Sequence, residues 1–472
     1  MTSVASIRSI PSYRLTEKDV RFFLSIMLPA LVELLLSQLF GMMDTIMLGH
    51  TENSSVLIAA VGMTASPINL IVCVISAFCI GTTAAVAWFT GAGESEKARC
   101  AAHQSLALLA VIGAVVTVLS LLFAEPIIRF AGAKEDTLAD AVTYYRIIAA
   151  GFLVQSVTIS ITASLRGVGI TKIPMLYNLT AALVNVILNY GMIYGRLGFP
   201  AMGIRGAAWA TTISKFLAFV LAMLLMFFGK IPVGIRRGDS FRPNRQILTR
   251  ILRVGITAGL EQVILQSGAV LNNKIVATVP TADFAANQIA ANVEGLAWQL
   301  GNACNAASTT STGQSLGEGR PEKARSMTRM ILLVSLGFSA CVILLFLFAG
   351  SPIAHLYTPE KEIAATAGRI LCYTAIGMPG VATHLTIAGS LRGAGDTKTP
   401  LFASFCSLWI FRVGLGYLLV YRLGMGVIAA RVCCSVDQLV RASIVSLRYL
   451  TGKWAKGSSP VLSQKCEPHP VK

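Results

Sequence analysis

Apolar residues along this chain neither alternate nor keep to one helical face. They come in about twelve long runs, separated by short polar punctuation. Cutting at Gly, Pro and charged residues gives spans near 22-48, 56-89, 102-124, 138-163, 173-195, 203-229, 250-277, 282-312, 326-349, 363-390, 399-421 and 424-450. Each can cross roughly 30 Å of hydrocarbon at about 1.5 Å per helical residue. Backbone groups in lipid must bond internally, so the pattern predicts an all-α polytopic membrane protein of about twelve transmembrane helices. Span 282-312, with Asn287, Gln288, Asn292, Glu294, Asn302 and Asn305, is too polar to face lipid all round and is expected to line an internal aqueous cavity.

With both termini on one side, Lys and Arg on that side outnumber those on the other roughly threefold. The largest cluster, Lys230, Arg236, Arg237, Arg242, Arg245, Arg250 and Arg253, falls midway along the chain. The positive-inside rule therefore predicts cytoplasmic termini and a cytoplasmic central linker. The segment before Phe22 is polar and basic, with no short apolar core and no small-residue cleavage site, so no cleaved signal peptide is expected.

Composition sharpens the class. Hydrophobic residues make up 54% and charged residues only 13%, against about a quarter charged in soluble domains, which excludes an ordinary cytosolic enzyme. The net charge of +17 lies in short segments between apolar runs, so it reads as topology signal and contact with anionic lipid, not as a nucleic-acid surface. The ten cysteines lack metal-ligand spacing and are expected to be packed thiols.

The chain repeats itself at one offset. Ser164-Leu-Arg-Gly-Val-Gly-Ile-Thr-Lys-Ile-Pro174 and Ser390-Leu-Arg-Gly-Ala-Gly-Asp-Thr-Lys-Thr-Pro400 share most of their residues 226 positions apart. The same offset places Gly91, Gly93, Glu96, Lys97, Ala98 and Arg99 on Gly317, Gly319, Glu322, Lys323, Ala324 and Arg325, and Arg196-Leu-Gly198 on Arg422-Leu-Gly424. A duplicated six-helix unit follows. Because six is even, both copies enter the membrane from one side, predicting two parallel six-helix bundles with a central cleft. The segments are a cytoplasmic 1-21, an N-lobe at 22-229, a basic linker at 230-249, a C-lobe at 250-450 and a cytoplasmic tail at 451-472. The repeated Leu-Arg-Gly-x-Gly-x-Thr-Lys loop supplies Gly for a tight turn and cations at a helix end. Its glycine spacing fits no nucleotide fingerprint.

These blocks resemble the multidrug and toxic compound extrusion (MATE) family over nearly the whole chain. The carrying residues are Pro29, Met43-Asp-Thr-Ile-Met-Leu-Gly49, Ile80-Gly-Thr82, Gly91-x-Gly93, both Leu-Arg-Gly-x-Gly loops, Gly203-x-x-Gly-Ala-Ala-Trp-Ala-Thr211 and Gly313-Gln-Ser-Leu-Gly317. Within the family the chain looks more like the prokaryotic DinF-type branch than the NorM type. The resemblance implies secondary active efflux of cationic amphiphiles across the cell membrane, driven by a proton or sodium gradient without another cofactor, by a monomer.

Asp44, deep in the first span, is the first candidate for cation coupling, because an unpaired intramembrane carboxylate must find a partner or take up a proton. It also matches the aspartate of the family's Asp-Thr motif. Asn185 and Asn189, at i and i+4 in span five with Asn178 nearly two turns earlier, form a polar face expected to look toward Asp44. Asn185 matches an asparagine of the family's N-lobe site, and Asn189 stands where several relatives carry a second aspartate. Glu261 matches the span-seven glutamate and is a second candidate cation site. The aspartate that NorM-type members place in span ten is missing from Gly377-Met-Pro-Gly-Val-Ala-Thr-His384. His384 is read either as a proton shuttle or as a neutral histidine bonded to a backbone carbonyl.

Glu33 and Glu294 are further intramembrane acids, with Lys274 and Arg412 as possible partners for them or for Glu261. Gln38, Met42, Met43, Trp298 and Gln299, together with Glu33, Glu294 and His384, are the expected substrate lining, since Met and aromatic surfaces adapt to varied ligands. Phe152 and Gln155 join that expectation, and Gly377, Pro379 and Gly380 are expected to let span ten kink. The alternative is a flippase for lipids or lipid-linked oligosaccharides, which calls for a cationic cavity, whereas the in-span charges read as leaning acidic. An enzyme, a channel and an ATP-driven pump are disfavoured by the lack of paired catalytic carboxylates, a repeated selectivity motif and a P-loop.

Overall fold

The computed structural model describes residues 13–49, 54–132, 135–229, 231–236, 239, 243–276, 280–358 and 360–456. Helices account for nearly all of them, and no strand occurs among the described residues. In chain order they are α1 (Glu17–Gly49), α2 (Ser54–Gly91), α3 (Ser95–Leu122), a short α4 (Ala124–Phe130), α5 (Glu135–Ala150), α6 (Phe152–Gly167), α7 (Lys172–Tyr194) and α8 (Gly203–Phe228). There follow α9 (Arg245–Val276), α10 (Thr281–Gly317), α11 (Pro321–His355), α12 (Lys361–Gly393), α13 (Lys398–Ser407) and α14 (Gly426–Leu450). α13 continues through two π-helical stretches, Leu408–Leu415 and Tyr417–Arg422.

Among the described residues nine helices are long and apolar enough to cross a bilayer, counting α13 with its continuation, and α5 with α6 forms a tenth span bent by 44°. α10 and α14 have the length but are more polar, because their polar side chains meet one another. Arg431 of α14 donates to Asn287 Oδ1 at 2.7 Å and to Glu294 Oε2 at 2.7 Å, both on α10. Asn287 and Glu294 thus find a partner on a neighbouring helix, and Glu294 also borders a small cavity with Arg431 and Gln438. The protein is an all-α polytopic membrane protein.

Two compact units divide the chain. The first comprises Leu28–Thr90 and Glu94–Gly259; the second comprises the described residues of 13–27, Gly91–Gly93 and those from Leu260 onward. The first has a core of Ala85, Val86 and Phe89 of α2 with Ala98 and Ala102 of α3, Ile161 and Leu165 of α6, and Ala218 and Ala222 of α8. Ile247 and Ile251, from the first turns of α9, close it, and the Arg250 guanidinium lies 5.7 Å and 5.6 Å from the Trp88 and Phe89 ring centroids. In the second, α12 packs among α10, α11 and α14. Its Ala364, Ala367 and Ala375 are fully or almost fully buried, in keeping with small residues that let backbones approach where lipid supplies no hydrophobic drive.

The repeat is visible in contacts as well as in letters. Thr83 Oγ1 donates to the Ala163 carbonyl at 3.1 Å, and Thr309 Oγ1, 226 residues later, donates to the Gly389 carbonyl at 3.1 Å. The two glycines of the Leu-Arg-Gly-x-Gly loop divide their work. Gly169 and Gly395 hold φ of +89° and +84° and make the turn, whereas Gly167 and Gly393 are helical and pack flush against Thr83 and Thr309.

A methyl at Gly393 would press on the Thr309 carbonyl and lie 3.2 Å from the Gly313 nitrogen, whereas one at Gly337, mid-α11, meets nothing within 4 Å. Gly393→Ala is expected to cost about 1–3 kcal/mol by overpacking, and Gly337→Ala to stabilise by up to about 1 kcal/mol. Thermal unfolding of the purified protein in detergent separates the two; equal midpoints would refute this account of the loop.

α12 runs from Lys361 to Gly393 with Pro379 inside it. A Cβ at Gly377 would lie 3.0 Å from Ser435 Cα, and one at Gly380 2.8 Å from the Gln438 carbonyl carbon, so these glycines admit α14. In the first half the equivalent position is Gly151, 226 residues before Gly377, where α5 and α6 meet at a 44° bend.

Candidate functional site

The first unit holds a cavity of about 580 Å³. Its walls come from α1 (Glu33, Leu36, Ser37, Phe40), α2 (Ile68, Asn69, Val72), α6 (Gln155, Thr158, Ile159), α7 (Asn178, Leu179, Asn185) and α8 (Thr211, Ser214, Lys215). α1 brings Glu33 to the wall one turn past Pro29. The Arg166 Nη2 donates to Glu33 Oε2 at 2.8 Å, and Asn178 Nδ2 to Oε1 at 2.8 Å. Deeper in α7, Asn189 is fully buried and donates to Asn185 Oδ1 at 3.2 Å, while Asn185 Nδ2 donates to Thr211 Oγ1 at 3.4 Å. Asn185 and Asn189 thus bond to each other, while Asn178 turns to Glu33.

The second unit carries the same arrangement. Arg392 Nη2 donates to Glu261 Oε2 at 2.7 Å and Ser404 Oγ to Oε1 at 3.0 Å. Arg392 and Ser404 stand 226 residues after Arg166 and Asn178. Each copy thus ties the carboxylate of its first helix to the arginine of its Leu-Arg-Gly loop and to a polar side chain on the following helix. The settings differ: the side chains of Arg166 and Glu33 are 21% and 10% exposed and Glu33 borders the cavity, whereas those of Arg392 and Glu261 are 5% and 1% exposed.

Ion pairs account for the other charges of the second unit. Arg431 holds Glu294, and Asp437, fully buried, is shared by Arg441 at 2.9 Å and Arg412 at 3.0 Å. Arg412 thus pairs with Asp437 and also feels the charge of Glu294, whereas Lys274 is exposed. In this interior four arginines, Arg392, Arg412, Arg431 and Arg441, face three carboxylates, Glu261, Glu294 and Asp437. Acidic excess, expected from the spans, is absent here.

The family model described as MatE matches residues 29–191 and again 258–418. This chain belongs to the MatE family. The probable multidrug resistance protein NorM of Thermotoga maritima is 30% identical over 430 residues, 91% of this MatE chain and 92% of that protein. The multidrug resistance protein PmpM of Pseudomonas aeruginosa is 25% identical over 412 residues, covering 86% and 84%. An outward-facing multidrug resistance MATE transporter of the MOP superfamily superposes with a TM-score of 0.85 at 23% identity, covering 96% of this chain and 99% of that one. A MOP superfamily transporter from Pyrococcus furiosus, described as having a binding pocket of reversed polarity, superposes with a TM-score of 0.85 at 21% identity, covering 96% and 98%. At these identities the superpositions establish the fold.

Of the expected lining in this MatE protein, Glu33, Gln155 and Asn185 border the large cavity. Gln38 and Met43 do not, and Phe152 is fully buried in the packing of α5 and α6. Asp44 and Met42 lie on α1, with side chains outside the described residues. Trp298 Nε1 donates to Glu294 on its own helix at 3.2 Å, and Gln299 accepts from Asn302 at 3.2 Å. His384 is buried and borders none of the described cavities; neither ring nitrogen has a hydrogen bond among the described residues, so the expected bond to a backbone carbonyl is not formed. Lys215 on the cavity wall escaped the sequence reading. So did the Arg431, Asp437 and Arg441 set, although Asp437 and Arg441, spaced i and i+4 in span twelve, signal a pair.

Proposed function

We propose that this protein is a secondary active multidrug exporter, carrying organic cations or amphiphiles out of the cell in exchange for protons or sodium, with no other cofactor. The observation that supports this most is the first-unit cavity. Its volume lies in the range of small-molecule sites, and a carboxylate, the Lys215 ammonium, four amides and apolar walls make it amphiphilic. The names of the relatives point the same way. Asp44, Asn185 and Asn189 are proposed to carry coupling. Glu261 is proposed as a second coupling group, one at which an incoming cation has to displace Arg392. The protein is placed in the cell membrane as a monomer with cytoplasmic termini, acting on small molecules and not on nucleic acid.

The test is ethidium uptake by everted membrane vesicles, with outward-directed proton and sodium gradients, higher inside the vesicle, imposed separately. Uptake is expected with one gradient and not without it; uptake indifferent to both would reject antiport. A second reading, a lipid flippase, draws support from the arginine surplus of the second unit, which suits an anionic headgroup. Translocation of a fluorescent phospholipid in proteoliposomes, with no ethidium movement, would favour it.

A further inference from the structure

We propose that Arg166 is a tethered occupant of a cation site at Glu33, so that a cationic substrate binds in the first-unit cavity by taking the place of its guanidinium. The proposal deepens the exporter reading and rests on it. Glu33 is the only carboxylate among the described lining residues. Both its oxygens are engaged, one by Arg166 at 2.8 Å and one by Asn178 at 2.8 Å. With that pair closed, Glu33 offers no net charge to a cation in the cavity.

The second unit supplies the comparison. There the equivalent Glu261 and Arg392 pair through the same atoms, 1% and 5% exposed, and no described cavity is bordered by either. A pair so enclosed is costly to open, since a buried ion pair broken on one side leaves an uncompensated charge. In the first unit Glu33 borders the cavity, and the apolar walls of Leu36, Phe40, Val72 and Ile159 stand beside it. A ligand with a cationic head and a flat apolar body matches that wall and replaces the charge it displaces. Arg166, in the last turn of α6, then has the carbonyls of a helix C-terminus as alternative acceptors.

An occupant in place about nine-tenths of the time lowers apparent affinity about tenfold. Ethidium suits the test, because its charge is permanent and no proton release confuses the reading. Binding is measured by fluorescence on the purified full chain in detergent, and transport in everted vesicles. Arg166→Gln is expected to tighten ethidium binding about tenfold, and Arg166→Lys, which keeps the charge but loses the fork, to tighten it less. Glu33→Gln is expected to weaken binding, and in the double variant the gain from Arg166→Gln should vanish. If Arg166→Gln does not fold, Arg166→Lys decides by the sign of its change.

Unchanged or weaker binding in a folded Arg166 variant overturns the proposal, as does a gain that survives in the Glu33→Gln background. Coupled transport with no gain in binding removes the tethered site and leaves the exporter reading. A gain in binding without gradient-driven transport does the reverse, and no ethidium binding to any variant overturns both.

Discussion

Asp437→Asn is expected to lower the unfolding midpoint of the purified protein by on the order of 10 °C, the largest stability loss of any single substitution in the second unit. Asp437 is fully buried and is the shared counter-charge of Arg412 and Arg441. Asparagine keeps its shape but leaves two guanidiniums enclosed with one less negative charge, in an interior that already holds four arginines against three carboxylates. Removing one partner of a buried pair costs about 3–5 kcal/mol. A sharper check follows from the surplus: Arg412→Gln leaves Asp437 with Arg441, so its midpoint should stay near wild type, and it should restore part of the loss when combined with Asp437→Asn. A single Arg412→Gln as damaging as Asp437→Asn would show that the surplus is not the cause.

Asp44→Asn is expected to abolish gradient-driven ethidium transport, a loss of about tenfold or more, while the protein still folds. Asp44 stands in the last turns of α1, flanked by Gly41-Met-Met43 and Thr45-Ile-Met47. A carboxylate in such surroundings changes its charge when it gains or loses a proton or a metal cation, and the isosteric amide cannot. Substrate binding at equilibrium should survive, because the cavity wall supplied by Glu33 and the four amides is untouched. The informative measurement is therefore the ratio of gradient-driven transport to equilibrium binding, and a variant transporting at the wild-type rate would remove Asp44 from the mechanism.

The apolar runs made the spans legible, because a helix in lipid is specified by length and apolarity, neither of which depends on tertiary contact. The 226-residue offset likewise gave the duplicated loop, down to the equivalence of Arg166 with Arg392. It hid the equivalence of Glu33 with Glu261, which lie 228 apart, so that a fixed offset sets Glu33 against Gly259. The two-residue difference falls between those glutamates and the Gly91 and Gly317 blocks, and the carboxylates still reach the same arginines. Pairing of this kind is a matter of where helices approach, which spacing along the chain does not encode. The same reason explains α10: the sequence marks Asn287 and Glu294 as needing polar company, but only packing reveals that Arg431 supplies it.

The two copies also differ in winding. α7 runs from Lys172 to Tyr194 as an unbroken α-helix, whereas its equivalent starts at Lys398 and passes into wide π turns from Leu408 to Arg422. A π turn takes up one more residue than an α turn for each hydrogen bond closed. The eleventh span therefore stores slack: exchanging a wide turn for a narrow one changes its length and rotates whatever lies beyond, with the helix kept intact. Arg412 sits in the first of these stretches, so one of the two guanidiniums on Asp437 is mounted on a wide π turn.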